Sequence, residues 1–321
     1  MRYLRILSLL IVGFASSQAA WGQGYPNKPV RIVVPFAAGS ATDIVARLIA
    51  EELTNTLSQG FIIDNKPGAS AIIGAEAVAK SPPDGYTLFV TTNTSHSANP
   101  FLFKKLPYDP IKDFTPVAGI MTIPVIVVVD PKLPINSMQE LISYTQANPG
   151  KVSFGYGNSI GQVVGASFAK AVGITVTPVP YKSSPQAMTD VVGGQISYGV
   201  TDMAAGQSLV KAGKLRAIGV SSEKRSALMP DLPAISETPG LSGFEVIAWV
   251  AMFAPAGTPK DIVDRLSVEV RKALAKPELK ERITQFAAET LPSNPEQLGV
   301  FVRAQLASWG KRIKDAGIEP E

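Results

Sequence analysis

The chain has 321 residues, 45% hydrophobic and 17% charged, with 30 basic against 26 acidic side chains and a formal charge of +4. That apolar content supports a sizeable core, excludes a disordered chain and sets an expectation of one large domain or two smaller ones. The absence of cysteine excludes thiol catalysis and thiolate metal sites, a lone histidine (His96) and no D-x-D-x-D-G loop leave little for other metals, and no Lys/Arg run marks a nucleic-acid surface.

The chain opens with Arg2 and Arg5, then an apolar run from Ile6 to Ala15, then small residues. The run is too short to span a bilayer, and the pattern is that of a secretory signal peptide over residues 1–22. Its removal takes away two basic groups and no acidic one, so the exported chain is closer still to neutral. "VRIVVPF", residues 30–36, reads as a buried strand. From Asp43 the apolar positions Ile44, Val45, Leu48, Ile49, Leu53 and Leu57 keep helical spacing. Residues 61–64 form a second strand, 75–80 a helix and 86–91 a third strand. This β-α-β-α-β order predicts a parallel sheet with helices on both faces.

The pattern then restarts. Residues 124–129 form a strand, and Ser137 with Glu140 opens a helix as a capping box. Strands follow at 152–154 and 175–180 around a helix that runs to Val172. A helix over 187–192 ends at Gly193-Gly194, and strands follow at 195–200 and 214–220. Residues 244–254 make a long apolar strand. Three helical stretches close the chain, the last opened by Asn294-Pro295.

Two loops share one design. "PFAAGSATD" and "FGYGNSIGQ" each follow a strand, are rich in Gly or Ser, and lead into an amphipathic helix. Ser40 with Asp43, and Ser159 with Gln162, are the expected caps. A helix N-terminus leaves N–H groups unpaired and carries partial positive charge, so such a loop can also hold an anion. Open α/β sheets bind ligands at the C-terminal ends of their strands, so two such units could close on one small carboxylate. The second loop also reads G-x-S-x-G over Gly157–Gly161, the setting of a serine-hydrolase nucleophile. That alternative makes Ser159 the nucleophile, but a triad in hydrolase order needs a histidine after the serine, and none follows. His96 follows the third strand, where it either touches a ligand or is a satisfied structural histidine.

From about Tyr25 to its end the sequence resembles the Bug-type (TctC-like) periplasmic solute receptors of tripartite tricarboxylate transporters. The segments that carry the resemblance are "YPNKPVRIVVPFAAGSATDIVAR", "DNKPGASAIIGAEAVAKSPPDGYTL", "LPYDPIKDFTPVAGI", "VPYKSSPQAMTDVVGGQI", "VKAGKLRAIGVSSEKRSALMPDLPAISE" and "FAPAGTPKDIVDRL". The resemblance implies an α/β protein of the type II periplasmic-binding-protein fold, two α/β lobes joined by two crossing strands with a ligand cleft between them. The first lobe would comprise residues 23–120 and 245–321 and the second 121–244. It implies a monomeric, non-enzymatic periplasmic receptor without a cofactor. Such a receptor binds a small carboxylate, whether a di- or tricarboxylate or an aromatic or aliphatic acid, and delivers it to membrane permease subunits. A periplasmic sensor that reports to a signalling partner would share the same binding chemistry.

Carried over by position, the first-lobe site comprises Phe36, Ala38, Gly39, Ser40 and Asp43, with Thr94, Ser95 and His96 after the third strand. The second lobe contributes Gly157, Asn158, Ser159, Gln162 and Val163, with Thr201 and Asp202 after a later strand. The sequence departs from the family pattern in several places. Ser40 stands in place of a second glycine, "GASAIIGA" is less glycine-rich than usual, "VTDMAAG" matches loosely, and Val163 stands where many members carry histidine. Val163 in the cleft wall predicts a ligand with an apolar or aromatic body.

Overall fold

The structure is a computed structural model that describes residues 24–226, 229–285 and 288–321. The predicted export signal lies outside these residues. The first unit begins with β1 (Val30–Val34), α1 (Ala41–Leu57), β2 (Phe61–Asn65), α2 (Ile72–Ala79) and β3 (Thr87–Thr92). β1 pairs in parallel with both β2 and β3, as the alternating pattern predicts. In α1, Val45, Leu48, Ile49 and Leu53 are buried, so the helical stripe faces the sheet. After β3 the chain makes a π-helical turn over Thr94–Ala98 and a short helix α3 (Asn99–Leu102).

The sequence predicts a strand over 124–129, whereas β4 runs without a break from Phe114 to Val129. Its first part pairs with β9 (Ile247–Pro255), which is antiparallel to β3 on its other side. β10 (Glu289–Ser293) also pairs with this first part. Its last residues pair with β7 (Tyr198–Asp202) and β8 (Arg216–Val220). The first sheet therefore runs β2-β1-β3-β9-β4, and the second continues β4-β7-β5-β6, with β5 at Ser153–Tyr156 and β6 at Thr177–Pro180. The helices of the second unit are α4 (Met138–Ala147), α5 (Ser159–Ala171), α6 (Ser184–Val192) and α7 (Met203–Lys211). These are two α/β lobes joined by two crossing strands.

The chain ends with α8 (Lys260–Ala275), α9 (Pro277–Thr284) and α10 (Pro295–Asp315), capped by Asn294 as the sequence predicts. The first half of α10 packs in the first lobe, where Leu298 and Val302 join Val33, Phe89 and Trp249. Its second half does not return there. Trp309 and Ile313 join Ala98, Leu102, Val127, Phe154 and Phe168 in a core shared with the second lobe. Sequence reading missed α3, α7 and β10, each of which lacks a long periodic pattern.

The crossing carries its own hydrogen bonding. Pro124, opposite Ile247, has no N–H to give the ladder. Beyond it, the fully buried Ser221 takes over. Its Oγ accepts from the Val125 N–H at 2.9 Å and donates to the Val246 carbonyl at 2.7 Å. Its backbone completes both pairings, with Ser221 N–H to Val125 O and Val246 N–H to Ser221 O at 2.9 Å each. Removing this hydroxyl strands a buried donor and a buried acceptor, which costs about 1–3 kcal/mol. Ser221→Ala should therefore lower the unfolding free energy by about that amount in urea titrations. A loss below about 0.3 kcal/mol would show that Ser221 does not brace the crossing.

Candidate functional site

The β1–α1 loop is held from behind. Ser40 is the N-cap of α1 and its Oγ accepts from the Asp43 N–H at 3.2 Å, as predicted. The Asp43 carboxylate does not bond back to Ser40. It accepts from the Gly39 N–H at 2.9 Å, Arg47 Nε at 3.0 Å and Asn65 Nδ2 at 2.9 Å. Asn65 Nδ2 also donates to the Phe36 carbonyl at 3.0 Å, and its Oδ1 accepts from Arg47 at 3.2 Å. Burial works to raise the Asp43 carboxyl, but the bonds from Arg47, Gly39 and Asn65 outweigh it and hold the group below its ordinary value. Asp43 thus shapes the loop as an anion already satisfied. Ala38 and Gly39 are exposed at its tip, and the Phe36 ring is buried in the first-lobe core.

In the second loop the cap is shifted by one. Asn158, not Ser159, caps α5: its backbone is extended and its Oδ1 accepts from the Gly161 N–H at 3.0 Å. Ser159 is therefore the first helical residue, and its hydroxyl is free of capping. It donates instead to Thr94 Oγ1 of the first lobe at 2.9 Å and accepts from Asn93 Nδ2 at 3.4 Å. The lobes meet at this point. A second approach brings the N-terminal helix α1 against α7, whose N-cap is Asp202 with its Oδ1 accepting from Ala205 N–H at 3.0 Å. Thr201, just before it, is buried in β7.

Three residues of the predicted set lie elsewhere. His96 is fully buried, stacked on Phe253 at 4.0 Å and packed by Phe89, Phe114 and Trp249. Its Nδ1 pairs with Ser95 Oγ at 2.9 Å, and Ser95 in turn pairs with Thr91 at 2.7 Å. Burial pushes the imidazole down to about 3, so it stays neutral. Aromatic packing therefore makes it a core residue, and Ser95 its partner. Val163 is likewise wholly buried, in the second-lobe core, because it faces the sheet one turn into α5. The apolar ligand preference drawn from Val163 loses its basis. Gln162 borders a groove of about 330 Å³ shared with Ala166, Lys170, Val176 and Ile318.

Two features escaped sequence reading. Asn93 was missed because a lone Asn at a strand end carries no pattern. The N-terminus of α6 presses on Gly157, where a Cβ would lie 2.0 Å from the Ser184 nitrogen, so only glycine fits. The "SS" before Pro185 was the available signal for that helix start. The hydroxyl of Ser159 is bonded to Thr94 and Asn93, and the chain's single imidazole is enclosed by aromatic rings instead of facing it. Among the described residues no group of three or more His, Cys, Asp or Glu could hold a metal.

Two α/β lobes on two crossing strands, touching where Ser159 bonds Thr94, are the architecture of the periplasmic solute-binding receptors. The chain belongs to the tripartite tricarboxylate transporter family of receptors, whose model matches residues 45–318. It is 34% identical over 302 residues to a protein of the tcbD–tcbE intergenic region of Pseudomonas sp. strain P51, covering 93% of this chain and 89% of that one. It is 30% identical over 320 residues to BugT of Bordetella pertussis, covering 98% of each. Rpa4515 of R. palustris, solved with adipate, superposes with a TM-score of 0.90 at 35% identity over 92% of this chain and 100% of that one. MatC of Rhodopseudomonas palustris, with bound malate, gives 0.84 at 32% over 90% and 100%. The family and these neighbours are receptors, not enzymes, which sets aside the hydrolase alternative for Ser159.

The position of His96 has a pH signature. Between about pH 6.5 and pH 3 the unfolded imidazole binds a proton that the folded one refuses, so stability falls as pH is lowered through that window. His96→Phe removes that loss. Urea unfolding at about pH 7 and about pH 4 should show the wild type losing more stability than the variant. Parallel losses in the two proteins would place His96 at a solvated site instead.

Proposed function

We propose that this protein is an exported periplasmic receptor that captures a small carboxylate between its lobes and delivers it to the permease subunits of a tripartite tricarboxylate-type transporter. The observation that carries the reading is the meeting of the Ser159 hydroxyl, on the first turn of α5, with Thr94 of the first lobe. The helices α1, α5 and α7 each begin after a strand and are capped by their own Ser, Asn or Asp, and α1 lies against α7 across the lobes. Lysine and arginine are absent from the predicted set, and Arg47 is committed to Asp43 and Asn65. An anion here would be held by helix dipoles, N–H groups and hydroxyls. The adipate and malate in the two neighbouring structures are both small dicarboxylates, which supports this chemistry.

The lobes, residues 23–120 with 245–321 and residues 121–244, would close about β4 and β9, with bound ligand favouring the closed state. The receptor acts as a monomer and needs no cofactor. The shape of the sequence before Gln23 fits export to the periplasm by a cleaved signal.

A thermal-shift screen of C4 to C8 dicarboxylates, citrate and benzoate tests the reading on the mature protein. A true ligand at about 100 times its Kd should stabilise the fold by about 2.7 kcal/mol and raise Tm by several degrees. A Tm unmoved by every acid, but raised by neutral amides of the same shapes, would show that the site is not built for an anion.

A further inference from the structure

Among the described residues, several fully buried polar side-chain atoms without a partner fall in one segment: Asn93 Oδ1, His96 Nε2, Ser97 Oγ and Asn99 Oδ1. The segment spans the end of β3 and the π-helical turn, a geometry that recurs at functional sites. Its members differ in what surrounds them. His96 is packed into the aromatic core. Asn99 uses its Nδ2 on the Ser70 carbonyl at 2.8 Å and on Tyr108 Oη at 3.2 Å, inside the first lobe. Asn93 reaches the other lobe, through its amide nitrogen to Ser159.

The hydrogen-bond directions around Asn93 leave one vacancy. Ser159 gives its only proton to Thr94, so it receives from the Asn93 amide nitrogen. Thr94 N–H is used by Thr92 Oγ1 at 3.1 Å. Asn93 Oδ1, with the whole residue buried, is then an acceptor without a donor, at the seam where the lobes meet. A buried acceptor of this kind costs about 1–3 kcal/mol unless a partner arrives. It cannot receive from a carboxylate, which has no proton to give. A hydroxyl can supply one.

We propose that Asn93 is a specificity-determining residue whose Oδ1 accepts a hydrogen bond from a hydroxyl on the bound solute, so that the receptor selects hydroxy-carboxylates over their deoxy counterparts. This rests on the carboxylate-receptor reading above. The carboxylate end is served by helix N-termini and hydroxyl donors, and Asn93 reads the carbon skeleton beside it. A site built around a hydroxyl discriminates against the analogue that lacks it, because the buried acceptor is then left unpaired.

Isothermal titration of matched pairs tests the idea: malate against succinate, and 2-hydroxyadipate against adipate. The wild type should bind the hydroxylated member of a pair about tenfold more tightly. Asn93→Leu, which also removes the donor to Ser159, is read as a ratio within each protein: the hydroxy-to-deoxy preference should fall from about tenfold to about one, whatever the change in overall affinity. Asn93→Asp, which keeps an acceptor oxygen, should retain the preference while weakening both acids, and it serves where the leucine variant fails to fold. Equal binding of both members by the wild type, or a preference that survives in Asn93→Leu, overturns the assignment of Asn93 and leaves the receptor reading standing. Failure of all four acids to bind the wild type overturns the assignment of Asn93, and the wider acid screen above then decides the receptor reading separately.

Discussion

Everything in this molecule is positioned by one strand. β4 runs 16 residues, about 50 Å at roughly 3.3 Å per residue, and belongs to both sheets. A strand shared in this way fixes each lobe relative to the other through backbone geometry. Pro124 is what divides it. Without an N–H it cannot extend the first ladder, and the chain changes partners there, from β9 and β10 to β7 and β8. Ser221 repairs the break from the side, so the crossing has no unpaired backbone at Val125 or Val246. Bulges in the β4–β9 ladder near Gly119 add local twist. At Gly119 itself, β10 comes so close that a Cβ would sit 2.5 Å from the Leu291 carbonyl.

That frame brings the C-terminal ends of β1, β3, β5 and β7 to a common seam. The loops there are small and polar because helices must begin in them, and a helix start needs a short side chain to occupy its free N–H groups. The same requirement keeps formal positive charge out. Ser40, Asn158 and Asp202 serve as caps, and the Arg47 guanidinium is spent on Asp43. Asp43 in turn fixes Gly39 and, through Asn65, the Phe36 carbonyl. Selectivity in such a site depends on the direction of each hydrogen bond more than on net charge.

Much of the fold was legible in the sequence, because strands and helices with strong periodicity announce themselves. β1, α1, β2 and α10 lie within a few residues of their predicted places, and Ser40, Ser137 and Asn294 are N-caps as read, although the Glu140 carboxylate bonds Asn136 and closes no box on Ser137. β4 was legible only in its final third. Pro116, Gly119 and Pro124 look like strand breakers in one dimension; in space Pro116 marks a register shift against β9, Gly119 the end of the pairing with β10, and Pro124 the change from β9 to β7 and β8. The site was less legible. Ser159 looked like a cap because Ser-x-x-Gln fits the pattern, but Asn158 competes for the same role one residue earlier and wins. His96 and Val163 turn into the lobe cores, since a segment's position does not reveal which side of it is lined by aromatic rings or by the sheet. Asn93 emerged only once the two lobes were seen together.

The last helix changes the picture of how such a molecule could move. Two strands alone would act as a free pivot. α10 adds a third link, with Leu298 and Val302 in the first-lobe core and Trp309 and Ile313 in the core that the two lobes share. β4 and β9 join the lobes by backbone, whereas α10 joins them by side-chain packing alone, so the connection there is as strong as the burial of one tryptophan and one isoleucine.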